Sequence, residues 1–236
     1  MAEAINKVKV NLGNLDRLMK DLGSTHDIKV GIIGDKAYEE HEGSGLTNAH
    51  LGAIHEFGAT INHPGGQPYY IDETTGQARF VKKDSELGRK LIAKGQVTKA
   101  HQIVIPTRSF LRMPLLSPEG KRFVKNFAIK ALKKEYGDDF EELFKKNTSV
   151  RDFLGKEIAQ YIAMGGVARV LDAFETGGFG NWPKPTASTL RNRTVNTEPN
   201  PLLDTGQLRD SISASVDDQE VKGSGNLQGA VTIPKG

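Results

Sequence analysis

The chain has 236 residues, of which 37% are hydrophobic, enough apolar side chains for the core of one large domain or two small ones. It has no cysteine, which excludes disulfide bonds and zinc sites built on thiolates. The 32 basic and 29 acidic residues give a net charge of +3, too close to balance to indicate a dedicated nucleic-acid-binding protein.

Targeting signals are not evident in the sequence. No stretch approaches the roughly 18 apolar residues that cross a bilayer, and residues 1–6 lack the charged and then apolar layout of a signal peptide. We therefore expect a protein that is made in a cytoplasm and has no membrane partner.

Two helices and a strand are predicted before residue 58. The first helix spans residues 5–22, where apolar residues recur three and four positions apart. The strand, in residues 26–34, alternates apolar with other residues, which is typical of a half-buried strand. A polar loop over 35–47 precedes the second helix, residues 49–57, for which Thr47 or Asn48 is the N-cap and which Gly58 should close.

Residues 64–101 form the least regular part of the chain and are predicted to be a long insertion. Two β-rich runs, residues 67–72 and 77–82, flank Glu73-Thr74-Thr75-Gly76, which predicts a hairpin with a four-residue turn. A basic stretch follows, because residues 79–99 contain seven positive side chains and two negative ones.

The middle of the chain combines a strand, a proline break and two arginines. Residues 102–105 should be extended, and Pro106 should end the strand because proline fixes φ and lacks a backbone donor. The turn that follows can aim Arg108 and Arg112 at one surface, which is a docking feature rather than a catalytic one.

Two longer helices are predicted next. Residues 117–135 begin with an N-cap serine, a proline and an acid, three agreeing signals for a helix start. Residues 138–144 could form a separate short helix, and a capping-box pattern opens a long helix over 149–174. Gly165 and Gly166 could bend this helix or admit another backbone.

An extended connector is predicted over residues 177–203, which hold the only tryptophan, Trp182, and almost no periodic apolar signal. Asp204 could cap one helical turn, and two closing strands should follow in residues 211–216 and 229–233. The order of elements predicts a single α+β domain, in which a small antiparallel or mixed sheet packs against several helices.

No pattern in the chain favours catalysis. His50 and His55 lie about 140° apart around a helix, and His55-Glu56 lacks the second histidine of a zincin helix. The glycine-rich run 177–180 follows a helix and lacks the lysine-serine ending of a P-loop. With no Gly-x-Ser-x-Gly elbow and no cysteine nucleophile, we expect no enzyme activity and no cofactor or metal.

Four segments, taken in order, are familiar. They are residues 30–34 (VGIIG), 48–58 (NAHLGAIHEFG), 105–112 (IPTRSFLR) and 203–212 (LDTGQLRDSI). The series resembles the neck and tail-completion proteins of long-tailed bacteriophages, the virion-morphogenesis and minor-tail-protein-Z-like group. Trp182-Pro183 is similar to that group as well, whereas Ser109 departs from it because a second proline is common there.

The resemblance implies a structural subunit that joins the head-side connector to the tail, in a homo-oligomeric ring, a hexamer, around the DNA channel. Its partners would be phage head-completion or connector proteins and the tail terminator or tail tube, with non-specific DNA contact in the channel. The protein would be located in the virion, at the neck or tail, after assembly in the bacterial host cytoplasm.

The same motifs supply the candidate assembly residues. Glu56 and either Arg108 or Arg112 suit a charge-assisted contact within one subunit or between two, with Phe57 and Phe110 as buried anchors. The full set is Glu56, Phe57, Arg108, Phe110, Arg112, Trp182, Asp204 and Arg209.

Two other functions are open on the sequence. A DNA-contacting accessory factor of packaging or assembly would use the basic stretch, with Lys82, Lys83, Arg89 and Lys90 as candidate DNA-facing residues; interspersed lysines are also typical of a solvated helix face. A small hydrolase would use His55-Glu56 and would require metal binding.

Overall fold

The computed structural model describes residues 26–41, 44–137, 148–191, 193, 195 and 199–221. The predicted helix over 5–22, the predicted short helix over 138–144 and the predicted closing strand over 229–233 lie outside these residues.

Short antiparallel strands and helices of very different length make up the described chain, which confirms the predicted α+β class. In chain order the elements are β1 (Ile28–Ile32), α1 (Asp35–Tyr38), β2 (Glu40–His41), β3 (Leu46–Thr47), α2 (Asn48–Phe57), β4 (Ala59–His63), β5 (Tyr69–Ile71), β6 (Ala78–Phe80), α3 (Glu86–Ala93), β7 (His101–Ile105), α4 (Arg112–Leu116), α5 (Pro118–Tyr136), α6 (Thr148–Glu175), α7 (Ala187–Arg191), α8 (Gln207–Asp210), β8 (Ile212–Val216) and β9 (Gln219–Glu220).

These elements separate into two compact units, whereas the sequence predicted one domain with an insertion. The second unit comprises Phe57–Thr107, and the first comprises the chain up to Glu56 and from Arg108 onward. The predicted insertion, residues 64–101, lies inside the second unit.

The core of the first unit is formed where the long helix α6 packs against β1 and β8. β8 pairs antiparallel with β1, with Ile28 opposite Val216 and Ile32 opposite Ile212. All five residues of β8 are buried, and this strand falls within the predicted residues 211–216. The core continues through Phe110 and Phe174, whose ring centroids lie 5.1 Å apart.

Two glycines let neighbouring elements approach α6, which continues through both of them. A Cβ at Gly165 would lie 3.1 Å from a ring atom of Phe127 in α5, and one at Gly166 would lie 2.9 Å from Val30 Cγ2 in β1. The close neighbours are therefore side chains rather than the backbone that the sequence suggested.

The structure confirms the predicted N-cap of α5 but not that of α8. Ser117 caps α5 by accepting from the N–H of Gly120 at 3.0 Å, as predicted. The prediction that Asp204 caps α8 was wrong, because Gly206 occupies the cap position at φ 83° and no side chain caps this helix.

The connector includes local structure where extended chain was predicted. Hydrogen-bonded turns lead from α6 to Trp182, and α7 follows.

The second unit consists of two antiparallel strand pairs and α3. β4 and β7 pair over five residues each, from Ala59 opposite Ile105 to His63 opposite His101. β5 and β6 form the predicted hairpin, and Asp72 Oδ1 orders its turn by accepting from the N–H groups of Thr74 and Thr75, both at 3.0 Å.

The second unit buries few large side chains. Among its apolar residues Leu91 is 7% exposed, whereas Phe57, Phe80 and Val104 are each more than 60% exposed. None of the helices in the described part of the chain has both the length and the apolar character needed to span a membrane.

Gly120 provides a test of the α4–α5 junction. A Cβ there would lie 1.7 Å from the carbonyl oxygen of Pro114, a backbone atom that cannot move alone. Glycine to alanine in a helix normally stabilises by about 0.5–1 kcal/mol, but we expect Gly120→Ala to lower the free energy of unfolding by about 2 kcal/mol. Urea unfolding measures the change. The control Lys121→Ala should change it by less than about 0.5 kcal/mol, and a stabilised Gly120→Ala protein would contradict the packing described.

Candidate functional site

The four segments named above come together in the first unit. A Cβ at Gly52 in α2 would lie 2.5 Å from Ile32 Cδ1 in β1 and 3.4 Å from the ring of Phe110. His55 of α2 and Asp204 line the same cavity. Segments that are far apart along the chain therefore lie close together in space.

The end of α2 presents a buried carboxylate to the turn at residues 109–112. Glu56 is 3% exposed. Its Oε1 accepts from Ser109 Oγ at 2.7 Å and from the backbone N–H and Nε of Arg112 at 3.1 and 3.0 Å. Its Oε2 accepts from the backbone N–H groups of Phe110 and Leu111, both at 2.9 Å.

Glu56 thereby acts as the cap of α4, although it lies more than 50 positions earlier in the chain. The local cap residue, Leu111, has no side-chain acceptor, and the first N–H groups of a helix have no intrahelical partner. Ser109 completes the cap, because its Oγ accepts from the N–H of Met113 at 3.0 Å.

The pKa of Glu56 reflects this environment. Burial alone would raise it, but the hydrogen bonds from Leu111, Ser109 and Arg112 together outweigh burial and hold the pKa below its usual value. The group is therefore an ionised structural acceptor at neutral pH.

The two predicted arginines have different roles. Arg112 forms an ion pair with Glu56 through Nε at 3.0 Å, so this contact lies within the subunit. Arg108 donates its backbone N–H to the carbonyl of His55 at 2.7 Å and its Nε to the carbonyl of Pro183 at 3.3 Å. No carboxylate among the described residues forms an ion pair with Arg108.

Of the two predicted aromatic anchors, one is buried and the other is exposed. Phe110 is fully buried, as predicted, whereas Phe57 is 62% exposed, so the prediction of a buried Phe57 was wrong. The reason is that α2 buries Asn48, Gly52 and Glu56, a face that is mostly polar.

Trp182 fixes the turn at residues 109–112 from the opposite side. It is 7% exposed, its Nε1 donates to the carbonyl of Ser109 at 3.3 Å, and its ring meets Phe174 edge-on at 5.9 Å. Gly178 is required beside it, because its φ is 66° and a Cβ would lie 2.2 Å from Trp182 Nε1.

A cavity of about 130 Å³ lies between α2 and residues 201–208, lined by His41, Leu51, His55, Leu202, Asp204 and Leu208 among others. His55 Nδ1 is buried and has no hydrogen-bond partner in the described chain. Burial, followed by the charges of Arg108 and His41, lowers the pKa of His55 to about 4. The imidazole is therefore neutral at pH 7.

A second cavity, of about 420 Å³, is lined by Glu175, Trp182, Lys184, Asn200, Pro201 and Leu203 among others. Two arginines bind backbone carbonyl groups of lining residues or of their neighbours in the chain. Arg108 binds the carbonyl of Pro183, and Arg193 binds the carbonyls of Asn200, Pro201 and Leu203.

The remaining candidates are described by the contacts within their own units. Arg209 joins α8 to the end of α6 by an ion pair with Glu175 at 2.7 Å, and Asp204 Oδ1 accepts from the N–H of Val195 at 3.3 Å. Lys82, Lys83, Arg89 and Lys90 are exposed in the second unit, and Lys90 pairs with Glu86 at 2.7 Å. Within the described ranges, no cluster of histidines and acids has the arrangement of a metal site.

Sequence reasoning missed three residues of the site. Ser109 was noted only as a departure from a proline pattern, yet its hydroxyl binds Glu56 and caps α4. Asn48 was predicted only as an alternative to Thr47 for the helix cap, but it is fully buried and its Nδ2 donates to the carbonyl of Lys36 at 3.0 Å. Arg193 carried no local signal, because its partners are backbone carbonyls.

Comparison with protein-family models, curated proteins and solved structures finds no match to this chain.

The Glu56 carboxylate can be tested by a nearly isosteric change. We expect Glu56→Gln to lower the free energy of unfolding at pH 7 by about 2–4 kcal/mol, because a neutral amide cannot accept from all of these donors. Below the ordinary carboxyl pKa the difference should narrow, because the unfolded wild-type chain then binds a proton at Glu56 before the folded protein does, and the stability contributed by the ionised carboxylate is progressively lost. Urea unfolding at pH 7 and pH 4 measures both effects. The exposed control Glu119→Gln should change stability by less than about 0.5 kcal/mol; an equal effect of the two substitutions would contradict the cap.

His55 makes a separate prediction about acid stability. Its folded pKa of about 4 lies below the ordinary 6.5, so the unfolded chain binds more protons between these values and the wild-type protein loses stability as pH falls through them. His55→Leu should lose less stability than wild type between pH 7 and pH 4.5 and should change little at pH 7. The control His50→Leu keeps His55 and should retain the wild-type acid loss. Parallel pH curves for wild type and His55→Leu would refute the assignment.

Proposed function

We propose that this chain is a structural subunit of the neck or tail-completion region of a long-tailed phage, forming part of a homo-oligomeric ring around the DNA channel. The observation that supports the proposal is the meeting of the four segments around the end of α2. A pattern shared with a family by chance would not be expected to mark residues that depend on one another in space.

The geometry favours a docking function over catalysis. Glu56 is occupied by backbone and side-chain donors of the turn at residues 109–112, which leaves it no role as a general base. His55 lines a cavity instead, and no hydrogen bond between the described atoms joins it to Glu56. These contacts support the proposal of a docking function rather than the alternative of a hydrolase that uses His55 and Glu56.

The second candidate function, DNA contact, has one specific observation in its favour. The second unit contains seven basic and four acidic residues, so the remaining chain has 25 of each and the whole net charge of +3 falls within Phe57–Thr107. Positive charge on one part of a ring subunit would suit a channel occupied by DNA.

The ring proposal predicts a defined assembly. Native mass measurement of the purified chain should show a closed species, about 154 kDa for six copies of 25.7 kDa. Antibody labelling of particles from the phage or lysogen that carries the gene should mark the head–tail junction. A protein that stays monomeric and is absent from purified particles would refute the proposal.

A further inference from the structure

Arg108 is a partly buried cation whose terminal nitrogens meet no acceptor among the described residues. Its Nε is used by the Pro183 carbonyl at 3.3 Å, and its two terminal nitrogens have no hydrogen-bond partner in the described part of the chain. Those two nitrogens form the fork that grips a carboxylate with two parallel hydrogen bonds.

The surroundings of Arg108 are positive rather than compensating. Burial lowers its pKa, and the charge of Arg193 lowers it further. Lys184 is exposed, follows Pro183 in the chain and lines the second cavity. A partly desolvated guanidinium such as that of Arg108 is unfavourable beside another positive charge unless an anion offsets it.

A complementary surface lies elsewhere on the first unit, at residues Tyr38, Glu39 and Glu40. Tyr38 is 81% exposed, the highest value among the exposed large hydrophobic residues described. Glu39 and Glu40 are exposed and form no ion pair within the described chain. Tyrosine beside charged groups is typical of residues that anchor protein interfaces.

The backbone of this acidic corner is held in place. The N–H of Asn48 donates to the carbonyl of Glu39 at 2.9 Å, and Gln207 Nε2 donates to the carbonyl of Glu40 at 2.9 Å. The two carboxylates therefore project from a fixed backbone, which reduces the entropy lost when they bind a partner.

We propose that the guanidinium of Arg108 binds the Glu39–Glu40 corner of a second copy of this chain, with Tyr38 packed beside it. The inference rests on the proposed ring function. A contact between two different surfaces of one chain repeats from copy to copy, and it closes into a ring when the rotation allows.

Charge exchange tests the pairing. Arg108→Glu and the double variant Glu39→Lys/Glu40→Lys should each weaken self-association by at least about tenfold. Combining the three substitutions in one chain should restore self-association. Mixing the Arg108→Glu protein with the Glu39→Lys/Glu40→Lys protein should restore it as well. In both cases a negative charge at one of the two surfaces again meets a positive charge at the other. Sedimentation velocity over a range of concentrations at low salt measures the association, and thermal melting checks that each variant is folded.

Two further variants and one binding assay separate the explanations. Arg122→Glu reverses an exposed charge on α5 and should leave association unchanged, whereas Arg108→Lys keeps the charge without the fork and should weaken association less than Arg108→Glu.

Self-association that does not change in Arg108→Glu, or that the charge exchange does not restore, overturns the inference while the ring proposal stands. A wild-type chain that does not self-associate overturns the ring itself. Loss of duplex DNA binding by Arg108→Glu with association intact identifies the anion as phosphate and also overturns the inference.

Discussion

The structure of the first unit depends on one buried carboxylate. Removing Glu56 from water is unfavourable unless every lone pair finds a donor, and the donors are the N–H groups at the start of α4, which have no local cap. The carboxylate therefore supplies the acceptors that these N–H groups lack, and the N–H groups supply the donors that the buried carboxylate needs. The position of Phe110 in the core and the contact of Trp182 with the Ser109 carbonyl both follow from the path that this carboxylate imposes on the turn at residues 109–112.

Two arginines four residues apart illustrate how position decides the role of a charge. Arg112 lies beside Glu56 and its charge is offset inside the subunit. Among the described residues, Arg108 donates to the backbone carbonyl groups of His55 and Pro183 and lies within the field of Arg193. The first stabilises the fold of the chain, and the second forms no ion pair with a described carboxylate.

Patterns of residues predicted the elements of this fold better than the contacts within its site. Residues 211–216, the Ser117 cap and the hairpin at residues 73–76 were predictable because each depends on local periodicity or turn chemistry. β4 and α3 were not predicted, since their runs of five and eight residues are too short for a pattern to stand out. The buried face of α2 was misassigned because apolar residues were expected inside, whereas a carboxylate at position 56 is buried by partners more than 50 positions away. Such partners cannot be identified from spacing in the sequence.

The hydrogen bonds between Glu56 and the turn at residues 109–112 also close a loop in the chain. Both ends of the segment Phe57–Thr107 continue into residues of the first unit, and those residues are hydrogen-bonded to one another. The N–H of Arg108 also donates to the carbonyl of His55. The free-energy cost of closing a flexible loop, which comes from lost entropy, rises by only about 0.6 kcal/mol for each doubling of the loop length. The stability of the first unit therefore depends little on the length of the inserted segment, and evolution can lengthen, shorten or exchange that segment while these hydrogen bonds are kept.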